Sequence, residues 1–369
     1  MLVSTAIDIA IIGGGNAGLS LASELSRLSV AETVCIFEPA YKMKKELHWS
    51  LWSDEKQRQI LKQAIKGSWS QWQLVDYSRS VVRDSPSYDY TCLSSAKYLS
   101  LCERQLSEKM HIIPKAVESV RKTPTRYVIE AGERSFSANN VYDSRPPSVR
   151  PNSLLQHFFG VEVNIRKPMS TQQIATLMDF RVDQSRGLHF IYVLPFSSTH
   201  VLIESTMISQ SVEPQNWYRN AIERWLNERE IMVESYLSEE VGVIPMDDVI
   251  PCDKNIPTIG AASGALRRSS GYGFSYINQQ ASKLAQQIKQ HDYNVPNPIS
   301  KRIILMDSLF NRVMIEYPEL GPSLFMRMAE ALNGEQFARF MLGKATPYDW
   351  VRVISAMPKV PFLKQLFHV

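Results

Sequence analysis

Ile7-Asp8-Ile9-Ala10-Ile11-Ile12-Gly13-Gly14-Gly15-Asn16-Ala17-Gly18 is the stretch that decides the fold. Its apolar, β-branched first half reads as a strand buried on both faces. It ends in Gly13-x-Gly15-x-x-Gly18, after which Leu19, Leu21, Ala22, Leu25 and Leu28 recur at helical spacing. Strand, glycine turn and helix in this order are the parts of a dinucleotide site. Gly13 permits the tight turn, Gly15 lets the backbone approach a pyrophosphate, and Gly18 lets helix and strand pack closely. The helix start adds unpaired N–H groups and a positive dipole end for phosphate. A second apolar run, Thr33-Val34-Cys35-Ile36-Phe37, stops at Glu38. An acid about 20 residues past the last glycine suits a ribose hydroxyl. The expectation is α/β: a Rossmann-type cofactor domain that opens the chain, an arrangement that favours FAD over NAD.

Composition narrows the rest. A chain of 369 residues has room for two or three structural units. The net charge of +4 comes without a Lys/Arg block, which points away from nucleic acid. Cys35, Cys92, Cys102 and Cys252 are scattered and read as reduced thiols, and the seven histidines form no ligand motif, so no metal is expected. No positive cluster precedes the first apolar run, so it reads as a core strand and not a signal peptide. No uninterrupted apolar run approaches the roughly 18 residues of a membrane span.

Outward from the glycine turn, His48-Trp49-Ser50-Leu51-Trp52 lies in the loop after the second strand, where aromatic rings face a flavin, an apolar substrate or ordinary core. Residues 54–75 are predicted as a helix and its exit, with Trp69 and Trp72 at i,i+3. Ser94 or Ser95 caps a second helix. Residues 115–142 alternate like an antiparallel meander, and Val141-Tyr142-Asp143 reads as a return to the cofactor sheet. Residues 155–240 form a different unit, with strands over 157–163, 188–195 and 200–206 and an amphipathic helix over 214–231. Val243-Ile244-Pro245 is a short strand. A second strand–glycine turn, Ile256 to Gly264, precedes a helix over 274–290 and fits the far end of the same site. Residues 297–369 are helices rich in Met, Phe and Leu, which are either core or a pliable surface for a long apolar ligand. The expected division is a cofactor domain from 1–52, 94–150 and 241–292, a substrate domain from 53–93 and 151–240, and a helical region from 293–369.

An ordered set of short motifs resembles the flavoprotein lycopene β-cyclases of bacteria. Met178-Asp179-Phe180-Arg181 is similar to the family's M-D-aromatic-R. Val201-Leu202-Ile203-Glu204-Ser205-Thr206 resembles F-L-E-E-T, or L-I-E-D-T in its bacterial form. Gly260-Ala261-Ala262-Ser263-Gly264 with Ser270-Gly271-Tyr272 resembles the glycine turn and T-G-Y, and His48-Trp49-Ser50 stands where bacterial relatives have H-T-W-S. The likeness covers nearly the whole chain. It implies a fold like that of flavoprotein hydroxylases and geranylgeranyl reductases. It departs at Ser144, where the family has D-G-R, at Ser205, which leaves one acid of the pair, and at Arg267-Arg268, where the family has H-P.

The resemblance implies redox-neutral cyclisation of the ψ-ends of lycopene and related acyclic carotenes to β-rings, needing reduced FAD with NAD(P)H as its electron source. Glu204 is then the main acid–base residue, with Asp179 and Arg181 shaping its protonation, although a plain ion-paired sheet glutamate is the simpler reading of Glu204 by itself. Gly13, Gly15, Gly18 and Glu38 are expected to hold the adenosine and pyrophosphate half of FAD, and Lys97, Asp143, Gly260 and Gly264 complete the cofactor set. Lycopene resides in lipid, so a peripheral position on the cytoplasmic face of a bacterial membrane is expected. A monooxygenase or halogenase, a prenyl reductase, or a non-catalytic carotenoid carrier are the competing classes.

Overall fold

A computed structural model describes residues 5–41, 46–169 and 173–366. Its first sheet has six strands in the order Met110–Ile113, Val34–Phe37, Thr5–Ile12, Arg134–Asp143, Tyr127–Ala131 and Ser119–Lys122. The first four are parallel and the last two add the antiparallel meander. Thr5–Ile12 is central, which explains its unbroken apolar run. Ile9 and Ile11 pack under helices Asn16–Arg27 and Phe274–Lys289, while Ile7, Ala10 and Ile12 face Phe37, Phe136 and Val141. Each such side chain buried contributes about 1.5–3 kcal/mol. Asp143 ends its strand beside Gly13's, and its register partner is Ile12.

The second sheet has seven strands in the order Val233–Pro245, Leu155–Ile165, His200–Ser209, Leu188–Pro195, Ile174–Asp179, Gln71–Val75 and Ser80–Asp84. Neighbours are antiparallel except Ile174–Asp179 with Gln71–Val75. Alternation sorts its residues. Phe159, Val161, Ile203 and Met207 bury against Ile222, Trp225 and Leu226 of helix Gln215–Glu228. Phe190, Leu188 and Leu202 face the other way, toward Phe325, Met326 and Phe337 of the C-terminal helices. Those helices are Lys301–Glu316, Gly321–Ala331, Gly334–Met341, Pro347–Ala356 and Lys359–Leu366. A three-stranded sheet of His48–Ser53, Asp89–Ser94 and Ile65–Trp69 closes the remaining side.

Three expectations change. The helix foreseen over 54–75 shrinks to Glu55–Leu61, with Asp54 and Gln57 in a capping box, and Trp69 and Trp72 lie on separate strands. Their three-residue spacing mimics a helix, but Ile65–Trp69 and Gln71–Val75 each complete a different sheet, and pairing overrides the local period. Val243-Ile244-Pro245 is the end of a thirteen-residue strand, Val233–Pro245. Before the second glycine turn, Thr258 makes a single bridge to Asp143 and no strand forms. Among the described residues no helix is long and apolar enough to cross a membrane.

Candidate active site

At the first glycine turn, Gly13 has φ +98° and Gly260, in the second turn, has φ +67°. A Cβ on Gly18 would overlap the carbonyl oxygen of Gly13, so only glycine lets this helix meet its strand. A Cβ on Gly15 would meet nothing within 4 Å. Gly15 caps helix Asn16–Arg27 with no side-chain hydrogen bond, so the first N–H groups open onto free space, as phosphate binding requires. Glu38 is held at the turn: its Oε2 accepts from Gly14 N–H at 2.8 Å and its Oε1 from Ala40 N–H at 2.9 Å. A Cβ on Gly260 would lie 2.5 Å from Ala17 Cβ, so the second turn packs on the first helix start. Gly264, φ +77°, also leaves space for a ligand. Uncapped donors, open space and a fixed carboxylate fit a dinucleotide.

Two members of the expected set stand apart. The Asp143 carboxylate is buried and taken by Arg145, whose Nε and Nη2 donate at 2.9 and 2.6 Å, so only its backbone borders the second turn. Lys97 is exposed in the first turn of helix Ser95–Arg104. Its neighbour Tyr98 is the one tied to the first helix, through a 2.8 Å bond to Ser20. Ser144 needs no left-handed backbone, and its hydroxyl donates to the carbonyls of Ile12 and Gly13.

Between the second sheet, the three-stranded sheet and the C-terminal helices lies a cavity of about 240 Å³. Its walls are Trp49, Trp52, Tyr90, Phe190, Tyr192, Tyr272, Phe274 and Phe337, with Glu204 among them. Register puts Tyr192, Glu204, Gly160 and Glu240 in one row across four strands. Gly160 is the vacancy in that row. A Cβ there would stand 2.7 Å from Glu204 Cγ and 3.2 Å from Glu240 Cγ, so its absence lets the two carboxyl groups meet. Burial pushes the Glu204 carboxyl well above the usual carboxylate range, and the neighbouring Glu240 charge and hydrogen bond push it further. The Glu204 carboxyl thus holds its proton more firmly than an ordinary carboxyl, and it faces aromatic rings. Ser50 Oγ, Tyr192 Oη and Tyr90 Oη form a hydroxyl chain at 2.8 and 2.9 Å beside it.

The structure does not bring Asp179 and Arg181 to Glu204. Asp179 lies on the opposite face of the sheet, beneath helix Gln215–Glu228. There it accepts from Arg181 Nε at 2.8 Å, from Trp225 Nε1 at 2.9 Å and from Arg229 Nη2 at 3.0 Å. The guanidinium groups and Trp225 outweigh burial and hold its pKa below the usual range. Ser205 also points to that face, where it meets His189 Nε2 at 2.9 Å. The expectation of a single acid is corrected accordingly. The second carboxylate comes from Glu240 on the neighbouring strand, which sequence reasoning missed. Arg267 pairs with Asp307 at 3.0 Å and contacts the Phe340 carbonyl, so it ties the second glycine turn to the C-terminal helices.

Aromatic walls and a buried proton donor can form and hold a carbocation, because ring faces attract cations by about 0.5–2 kcal/mol each. Residues 8–367 match the family model described as lycopene cyclase protein. The lycopene beta-cyclase of Pantoea ananas is 24% identical over 380 residues, covering 97% of both chains. A lycopene beta-cyclase of a Paracoccus strain is 25% identical, covering 61% of this chain and 63% of its own. Among solved structures, a geranylgeranyl bacteriochlorophyll reductase-like protein of Thermoplasma acidophilum aligns with TM-score 0.62 at 12% identity, covering 99% of both chains. A flavoprotein/dehydrogenase of Cytophaga hutchinsonii aligns with TM-score 0.63 at 13% identity, covering 98% of this chain and 100% of its own. Those two likenesses establish the flavoprotein fold, and the family match establishes the kinship: the chain belongs to the lycopene cyclase family.

Proposed function

We propose that the protein closes the ψ-ends of lycopene into β-rings, giving γ-carotene and then β-carotene without net transfer of electrons. The observation that carries this reading is Glu204, buried beside Glu240 in an aromatic-walled cavity with its carboxyl pushed well above the usual carboxylate range. Glu204 gives its proton to C2 of the terminal C1=C2 bond. The C1 cation is attacked by the C5=C6 bond, and a C1–C6 bond forms. The resulting C5 cation loses its C6 proton to the Glu204–Glu240 pair, leaving C5=C6. Aromatic rings shield each cation from water. Gly13, Gly15, Gly18, Glu38, Gly260 and Gly264 would hold FAD, with NAD(P)H as the source of its electrons. Reduced FAD supplies an anionic, electron-rich ring when bound. The test is lycopene in liposomes with reduced FAD in D₂O. The expected product is an isomer carrying one deuterium per ring. Incorporated oxygen, or a gain of two hydrogens per end, would replace the cyclase with an oxygenase or a reductase.

The substrate route supports a place on the membrane surface. A second, apolar cavity of about 350 Å³ lies under the C-terminal helices and shares Ser270, Phe325, Met328 and Met341 with the Glu204 cavity. Together the two suit a polyene too long for either. Val351, Ile354, Val360, Leu363 and Leu366 are exposed on the last two helices, beside Arg352, Lys359 and Lys364. Apolar residues flanked by basic ones fit an anionic leaflet, such as the cytoplasmic face of a bacterial membrane. Val360→Glu with Leu363→Glu should weaken sedimentation with anionic liposomes by on the order of 10²-fold, from about 1.5 kcal/mol per side chain withdrawn from lipid. Unchanged sedimentation would place the docking face elsewhere.

A further inference from the structure

We propose that His48 and Glu162 form the inner part of a proton path that exchanges the Glu204 proton with solvent, and that His200 is its outer end. The proposal rests on the cyclase reading, because it concerns how that reaction's acid is reloaded.

The path is continuous. Glu240, hydrogen-bonded to Glu204, lies with Oε1 2.9 Å from His48 Nδ1, and its Oε2 accepts from the His48 backbone N–H at 3.1 Å. On the ring's other side, His48 Nε2 is 3.4 Å from Glu162 Oε2 and 2.9 Å from Lys66 Nζ. Glu162 Oε1 lies 2.5 Å from His200 Nε2 and 2.7 Å from Lys66 Nζ, and Ser238 Oγ donates to Glu162 Oε2 at 3.0 Å. His48's side chain is 2% exposed and His200's is 29% exposed. The chain of contacts thus runs from the buried Glu204 to the partly exposed His200.

His48 has partners in both of its protonation states. As a neutral ring it donates from Nδ1 to Glu240, and Nε2 accepts from the Lys66 ammonium. As a cation it also donates from Nε2 to Glu162. The charged groups facing it are Glu240 from Val233–Pro245, Glu162 from Leu155–Ile165 and Lys66 from Ile65–Trp69. Phe196 stacks on the ring at 5.7 Å. Burial pulls the His48 pKa down, but Glu162 and Glu240 outweigh it and raise the pKa to about 9. A residue that serves only packing does not need ionisable partners on both nitrogens.

Protons balance along the path. In each ring closure one proton leaves Glu204 for C2 and one leaves C6 for the Glu204–Glu240 pair. Between closures, His48 Nδ1 passes a proton to Glu240, and Glu240 passes one to Glu204. That transfer leaves the remaining proton of His48 on Nε2, so a flip of the ring carries it toward Glu240 and turns the bare nitrogen toward Glu162, where a proton taken from water at His200 and relayed through the Glu162 carboxylate refills it. The reverse sequence carries the substrate's own proton out.

The test is His48→Gln, followed by ring formation from liposome-borne lycopene in D₂O. The wild type takes one deuterium per ring, and its rate falls as pH rises through about 9, where His48 loses its standing proton. In the variant, deuterium uptake should fall roughly ten-fold or more toward return of the substrate's own proton, and the limb near pH 9 should vanish. His200→Asn, at the partly exposed end of the path, should lower deuterium uptake in the same direction, so a misfolded His48→Gln still leaves a decisive arm. Wild-type deuterium uptake and pH profile in the folded variants would overturn the path and leave the cyclase standing. A wild type that makes no rings would remove both.

Discussion

Glu204→Gln should lower ring formation by on the order of 10²–10⁴-fold, the usual contribution of a positioned acid–base group. Flavin content and melting temperature should stay near those of the wild type. The substitution isolates proton transfer because the fold favours the neutral form of the Glu204 carboxyl. Burial is the main reason, and Glu240 adds to it. A glutamine therefore buries no new charge and removes none. Its amide can still donate to Glu240, and it keeps the volume that Gly160 leaves open. What it lacks is a transferable proton. Near-normal turnover in this variant would move the acid to Glu240, the other carboxylate of the row. It would not move it to Asp179, which lies beyond the sheet in contact with two arginines.

The site was half legible in the sequence, and the missing half has a physical cause. Glu204 was found because it sits in an apolar strand that resembles a short motif. Glu240 was not, because Val233–Pro245 is an edge strand. Tyr236, Leu237, Val241 and Val243 are exposed there, so hydrophobic and polar residues do not sort into a buried and a wet face. Only register shows that Glu240 and Glu204 flank the same glycine. Asp179 misled for the converse reason: it belongs to the matching motif order, but a bulge between Thr176 and Asp179 shifts the face it occupies. His48 was noted as part of an aromatic run. Its charged partners come from residues 66, 162 and 240, and no local pattern links those.

The heart of the cofactor sheet, Thr5–Ile12 with its glycine turn and Val34–Phe37, was readable because each of its parts obeys a local rule. Buried parallel strands are apolar throughout, glycines mark the turn, and the acid closes the second strand. The three-stranded sheet was not readable. Its strands His48–Ser53, Ile65–Trp69 and Asp89–Ser94 are separated by a helix and by two strands of another sheet. Such pairings are decided by packing around Trp52, Trp69 and Trp72, and any one of those tryptophans also fits a helix face.

Gly15→Val should give a folded protein that purifies without flavin and forms no rings, whereas Gly18→Val should fail to fold. The two glycines lie in one turn and differ in what surrounds them. A side chain at Gly15 meets no protein atom within 4 Å, and its backbone is extended, at φ −80°. Valine is therefore tolerated by the chain but fills the space in front of the uncapped N–H groups of helix Asn16–Arg27, where phosphate would approach. At Gly18 the same side chain would collide with the Gly13 carbonyl and with Ile11 Cγ2. That would lift the helix from the central strand, where Leu21 and Leu25 are fully buried against Ile9 and Ile11. Losing that contact exposes several side chains worth about 1.5–3 kcal/mol each, which exceeds the margin of a domain stable by about 5–15 kcal/mol once more than a few are lost. The measurements are flavin absorbance of the purified protein and its thermal melt. Normal flavin absorbance in Gly15→Val would mean that the cofactor's phosphates lie away from this turn. A folded, flavin-bearing Gly18→Val would mean that the helix can move off the strand without releasing the site.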